Sequence, residues 1–168
     1  MAQAQRVCLD LNVWCGAFIS HRLARNDTAT QALVDIVRSG RSPRGPVALV
    51  ISWGMLERLR AVLRRDLGFS QSDAGRLVEL IASYAKEGPS LTLGGVGVIP
   101  IHDTEDRHVL ETAWAGQADL LVTANLADFI HEDDETILET MSYRLRRGDR
   151  SMILSHPFEA IRWLREAA

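Results

Sequence analysis

The sequence predicts an α/β fold, a three-layer sandwich built on a central parallel sheet. Three observations predict it. Short apolar runs alternate with stretches of helical spacing: Val7-Cys8-Leu9, Val47 to Ile51, Val96 to Ile101 and Leu120 to Thr123. That alternation is the pattern of strands joined by crossover helices. The runs are continuous, as in strands buried on both faces. Acidic or amide residues follow three of them: Asp10-Leu11-Asn12, then Asp103-Thr104-Glu105-Asp106, then Asn125 and Asp128. In a parallel sheet the carboxyl ends of the strands share one edge, where ligands bind.

The elements follow in order. Arg6 to Leu9 opens the sheet, and a short helix is expected from Val13 to Ser20. Thr28 or Asp27 caps a helix carrying Ala32, Leu33, Ile36 and Val37, which Gly40 ends. Ser42-Pro43-Arg44-Gly45-Pro46 is a turn into the second strand, Val47 to Ile51. Ser52 caps a helix whose apolar stripe is Met55, Leu56, Leu59, Val62 and Leu63. Ser70-x-x-Asp73 resembles a capping box and opens the next helix, which Gly88-Pro89 terminates. A third strand is expected within Leu91 to Ile101, with a turn or bulge at Gly94-Gly95-Val96-Gly97. Asp103 caps a helix from Glu105 to Ala115, and Leu120 to Thr123 is the fourth strand. Met141 to Leu145 and Met152 to Leu154, around Gly148-Asp149, read as a small C-terminal β-hairpin. Pro157 suits the first turn of a final helix.

With 168 residues the chain is expected to form a single domain, its core at about 6–130 and a C-terminal extension at about 131–168. No run approaches the roughly 20 apolar residues of a membrane span. The N-terminus lacks a signal-peptide apolar region, so a cytoplasmic location is expected. Cys8 and Cys15 show no zinc-ligand spacing and read as reduced, structural thiols. The net charge of −3 gives no global signature of nucleic-acid binding. The local distribution says more, because all but one of the 19 basic residues are arginine. They cluster at Arg58, Arg60, Arg64 and Arg65, and again at Arg144, Arg146, Arg147 and Arg150. Such clusters suit phosphate contacts, and the plainer reading is a genome that favours arginine codons and solvated helix faces.

Carboxylates gathered at one sheet edge repel each other, and a hard divalent cation such as Mg²⁺ relieves that repulsion with oxygen ligands. The pattern points to metal-assisted attack on a phosphodiester. Asp10 reads as a metal ligand or as a helix cap. Asp106 reads as a ligand or as a favourable charge in a first helical turn, and Asp103 reads better as an N-cap. Asp128 is a fourth acid or a turn residue. Asn12 orients Asp10 or serves a turn. Thr123 positions a water or phosphate oxygen, or is simply a β-branched strand residue. His108 reads as structural.

These residues carry a resemblance. Val7-Cys8-Leu9-Asp10-Leu11-Asn12-Val13 is similar to the opening strand of PIN-domain nucleases, commonly Val-x-Asp-Thr-Asn-Val. His102 to Leu110 resembles their Asp-x-x-Asp-Arg-His-Val-Leu segment. Ala118 to Phe129 resembles their Ala-Asp-x-Ile-Val-Thr-x-Asn-Leu-x-Asp-Phe. The resemblance implies a metal-dependent ribonuclease using Mg²⁺ or Mn²⁺, often the toxin of a toxin–antitoxin pair and often a homodimer. It implies Asp10, Asp106 and Asp128 as catalytic metal ligands, supported by Asn12, Asp103, Thr123 and Asn125. The family usually carries a glutamate where this chain has Arg58. Glu57, about 100° around the helix, serves in its place only through a local shift. Otherwise Arg58 contacts the RNA phosphate.

The alternative is a degenerate module that binds RNA or a protein without cleavage. Other α/β enzymes fit less well. A haloacid-dehalogenase-type phosphatase expects a second Asp at Asn12, and a dinucleotide-binding fold expects a Gly-x-Gly-x-x-Gly after the first strand.

Overall fold

The computed structural model describes residues 3–91 and 104–166. Most of the third strand expected within 91–101, and the Asp103 cap, fall outside those residues. The chain opens with β1 (Gln5–Leu9), α1 (Leu11–Arg22) and α2 (Ala29–Ser39). A two-residue strand β2 (Arg41–Ser42) leads to β3 (Gly45–Val50), α3 (Trp53–Arg65) and α4 (Gln71–Tyr84). After the undescribed segment come α5 (Thr104–Ala115) and β4 (Leu120–Val122), then a 3-10 turn at Leu126–Asp128. The chain finishes with β5 (Glu135–Leu138), β6 (Ser142–Arg147), β7 (Arg150–Ser155) and α6 (Pro157–Arg165).

The strands form one mixed sheet in the order β2-β3-β1-β4-β7-β6-β5. Its centre, β3-β1-β4-β7, is parallel. β2, β6 and β5 add antiparallel strands outside it. Helices flank the sheet, so the fold is α/β as the alternation predicted. Val7, Cys8 and Leu9 of β1, and Leu121 and Val122 of β4, are wholly buried. That is the continuous burial expected of strands covered on both faces. The apolar stripe of α3 delivers Met55, Leu56, Leu59 and Leu63 to the core at zero exposure. Trp14 joins them and satisfies its indole N–H on the Leu9 carbonyl at 3.2 Å.

Local signals set the helix ends. Thr28 and Gln31 form a reciprocal capping box, and Gly40 closes α2 at φ +68°, a conformation glycine adopts without steric cost. The Ser52 hydroxyl accepts from the Met55 N–H, and that of Ser70 from the Asp73 N–H. α4 stops at Tyr84, four residues before Gly88. The hairpin at Gly148-Asp149 forms with Arg147 paired to Arg150. Gly148 takes φ +61° at its first turn position. That hairpin is no appendage: β7 pairs in parallel with β4, joining the tail to the central sheet.

Register decides where the chain leaves the sheet. Leu9 lies opposite Val122, and Val122 opposite Ser155. The Asp10 N–H donates to the Val122 carbonyl at 2.9 Å, and the Thr123 N–H to the Ser155 carbonyl at 3.0 Å. The exits of β1, β4 and β7 therefore stand side by side.

Candidate active site

Asp10 follows the last residue of β1 and caps α1. It is 5% exposed. Three donors hold its carboxylate. The Leu11 N–H reaches Oδ1 at 2.6 Å, while the Thr123 hydroxyl and the Asn12 amide reach Oδ2 at 2.7 and 2.9 Å. A carboxylate offers about four acceptor sites, so this one keeps capacity for a further partner.

Thr123 and Asn12 are themselves fixed. Besides donating to Asp10, the Thr123 hydroxyl accepts from the Asn12 amide and from the Asn125 N–H, each at 3.1 Å. Its one donor and two acceptor sites are thus all engaged. It holds Asp10 and has no site left to position a water. Asn12 closes the ring by accepting from the Ala124 N–H at 3.1 Å. Three of these bonds, Thr123 to Asp10, Asn12 to Thr123 and Ala124 to Asn12, cross more than a hundred residues of sequence, and the β1–β4 pairing makes them local in space.

Asn125 and Asp128 are exposed, at the opening of this pocket. The Asn125 amide donates to an Asp128 carboxylate oxygen. Burial pushes the Asp10 carboxyl above the usual carboxylate range, and the charge of Asp128 pushes it further. The Thr123, Leu11 and Asn12 donors pull it back down. The Asp128 charge therefore bears on Asp10, and a cation beside Asp10 would relieve it. The nearby donors are hard oxygens from Asp10, Asp128 and Asn125, the set that suits Mg²⁺ or Mn²⁺.

Three further residues were expected at the site: Asp106, Asp103 and Glu57. Asp106 is half-buried in the first turn of α5. Among the described residues, no three acidic, histidine or cysteine side chains stand close enough to hold a metal ion. Asp103 lies outside the described residues. Glu57 is turned away: its side chain is 65% exposed and meets Arg60 at 3.6 Å. The cause is the stripe of α3, whose inward face is taken by Met55, Leu56 and Leu59. Cys8 and Cys15 are free thiols, and burial raises both, Cys15 to about 11.

One constellation had no single-motif signal in the sequence. Ser52, at the start of α3, shares its hydroxyl with His108 Nε2 at 3.3 Å and Thr112 at 2.9 Å. All three are buried. His108 and Thr112 stand four residues apart on α5, so they share a helix face. Burial lowers the His108 imidazole, the Arg58 charge lowers it further, and Glu111 opposes.

A PIN-domain family model matches residues 6–127, which takes in β1 through β4 with Asp10, Asn12, Thr123 and Asn125 and ends one residue before Asp128. A search of curated proteins returned no match. PIN domains are generally nucleases, and by a match over most of its length this chain belongs to the PIN-domain family.

Proposed function

We propose that the chain is an endoribonuclease that hydrolyses RNA phosphodiester bonds with Mg²⁺ or Mn²⁺. The observation that carries the reading is the Asp10 carboxylate, buried at the sheet edge, fixed by three donors and opposed by Asp128. Asp10 and Asp128 would hold the ion, with Asp106 as the third acid and Asn125 beside Asp128. When bound, the metal supplies a water of lowered pKa and offsets charge on the scissile phosphate. The chain's own work is positional. Thr123 and Asn12 keep Asp10 in one rotamer and favour its ionised form. Asp128, exposed on its 3-10 turn, is placed to approach from the solvent side.

The test is cleavage of single-stranded RNA with Mg²⁺ or Mn²⁺, repeated in chelator and with Asp10→Asn. Activity should require the metal and vanish in the variant. Unchanged cleavage by Asp10→Asn rejects the assignment. A toxin role with an antitoxin partner, a homodimeric state and a cytoplasmic location belong to the same proposal. Among the described residues no helix is long and apolar enough to cross a membrane.

A second reading has its own observation. Arg58 stands where a carboxylate is expected and Glu57 faces solvent, so one acid is missing. A folded protein that binds no Mn²⁺ by calorimetry would favour a module that binds RNA or a protein partner without cutting.

A further inference from the structure

Most arginines of the two clusters are already engaged. Arg60 meets Glu57, and Arg65 meets Asp66. Arg144 and Arg146 meet Glu135, and Arg147 meets Asp134. Arg64 is exposed, where water satisfies it. Arg58 is different. It is half-buried, and its Nη1 is fully covered with no acceptor within reach among the described residues. Among the described residues no carboxylate forms an ion pair with it. Its charge falls instead on His108, a buried base with no negative charge to offset it. Covering a charged nitrogen costs free energy unless a partner compensates it, and such an orphan calls for an explanation. Arg58 lies on the second turn of the helix that leaves β3, the strand beside β1. It is therefore near the edge that carries Asp10.

We infer that the Arg58 guanidinium is the seat of an RNA phosphate, which supplies the acceptor that the fold withholds. The inference rests on the ribonuclease reading for the identity of the ligand, while its physical ground is the uncompensated cation. A guanidinium matches phosphate with paired N–H donors. Arg58 as a residue is only half-buried, so a turn of its side chain would bring the covered guanidinium nitrogen to an anion in solvent. The Ser52 hydroxyl, which accepts from Thr112, meets His108 and helps to keep its ring in place. The site thus carries a fixed positive charge of its own.

The test is RNA binding in EDTA, where cleavage plays no part. A short single-stranded oligouridylate is titrated into wild type, Arg58→Gln and Arg58→Lys over a range of salt. Arg58→Gln should bind roughly ten- to a hundredfold more weakly, the scale of one hydrogen bond to a charged group. Its slope of log affinity against log salt should be shallower by about 0.7, one phosphate contact on a single strand. Arg58→Lys should recover the slope but not the affinity, since it keeps the charge and loses the fork. Inorganic phosphate should raise the melting temperature of wild type and not of Arg58→Gln. Equal affinity and slope in a folded Arg58→Gln overturn the inference. So does wild-type RNA binding with a lowered melting temperature, which assigns the cation to an acid of the chain itself. Should Arg58→Gln not fold, wild-type affinity in Arg58→Lys overturns it equally. Because these readings need no metal, loss of the cleavage proposal leaves them standing, and the reverse also holds.

Discussion

The carboxylate at the end of β1 and the guanidinium on the helix after β3 are handled in opposite ways. At the end of β1, Asp10 receives three donors, all within 2.9 Å. On the helix after β3, Arg58 has a covered nitrogen and no acceptor among the described residues. The anion is prepared by the chain and keeps capacity for one more partner. The cation is left for a partner to complete. The difference separates what folding finishes from what binding finishes. A satisfied buried carboxylate contributes to a unique structure. An unsatisfied guanidinium opposes folding, so it points to something outside the fold.

The sharpest way to break this comparison is Asp10→Asn. Loss of cleavage should exceed the roughly 10–100-fold that removal of an orienting partner costs. The fold should survive, because asparagine still offers an acceptor to the Leu11 N–H. Thermal melting in chelator should show a protein at least as stable as wild type, since a buried charge is gone. An unfolded variant would mean that Asp10 is chiefly a structural cap.

Thr123→Val comes next. It keeps the shape and removes the 2.7 Å donor to Asp10. It also leaves the Asn12 amide and the Asn125 N–H without their shared acceptor. Activity should fall roughly 10–100-fold, the scale for a group that orients a ligand. Metal affinity by calorimetry should fall with it. A fall in activity at unchanged metal affinity would assign Thr123 to the substrate instead.

Glu57→Ala is the contrasting control. The side chain is exposed and its pair with Arg60 spans 3.6 Å, so the pair contributes little. Cleavage should stay within about twofold of wild type, as for ordinary surface changes. A collapse of activity would place Glu57 in the site after all, and the outward orientation would not be the working one.

What could be read beforehand was local. Asp10, Asn12 and Thr123 sit directly beside buried strands, so strand ends alone placed them on one edge. Thr28 with Gly40, Ser52, Ser70 with Asp73, and Pro157 announced helix boundaries through backbone groups a few residues away. What escaped was non-local or weakly coded. β5 is exposed at all four positions and held only at the sheet edge, so no apolar pattern marks it. The parallel pairing of β7 with β4 joins residues more than thirty apart, so the tail read as a separate hairpin. The Ser52 hydroxyl meets His108 and Thr112 across 56 and 60 residues. Helical spacing put the latter two on one face, but nothing local named their partner. Glu57 shows another limit: neighbouring positions differ by about 100° on a helix, and its side-chain direction depends on how the apolar stripe of α3 seats in the core.

The smallest effect is in the pH dependence of stability, and there the two regions should differ in sign. In the metal-free protein Asp10 is raised above its ordinary 3.8, chiefly by burial. As pH rises from 3.8 through the raised value, the unfolded chain releases its proton first, so stability falls with rising pH. His108 is lowered below its ordinary 6.5, again chiefly by burial, with Arg58 adding to it. As pH drops from 6.5 through the lowered value, the unfolded chain takes up a proton first, so stability falls with falling pH. Urea unfolding in chelator across the acidic range separates the two. Asp10→Asn should remove the component that declines as pH rises, and His108→Gln the component that declines as pH drops. Arg58→Gln should weaken the His108 component, because it removes a charge that keeps the imidazole neutral. If Asp10→Asn leaves the profile unchanged, the carboxyl is not perturbed, and the electrostatic ground for a cation between Asp10 and Asp128 is gone.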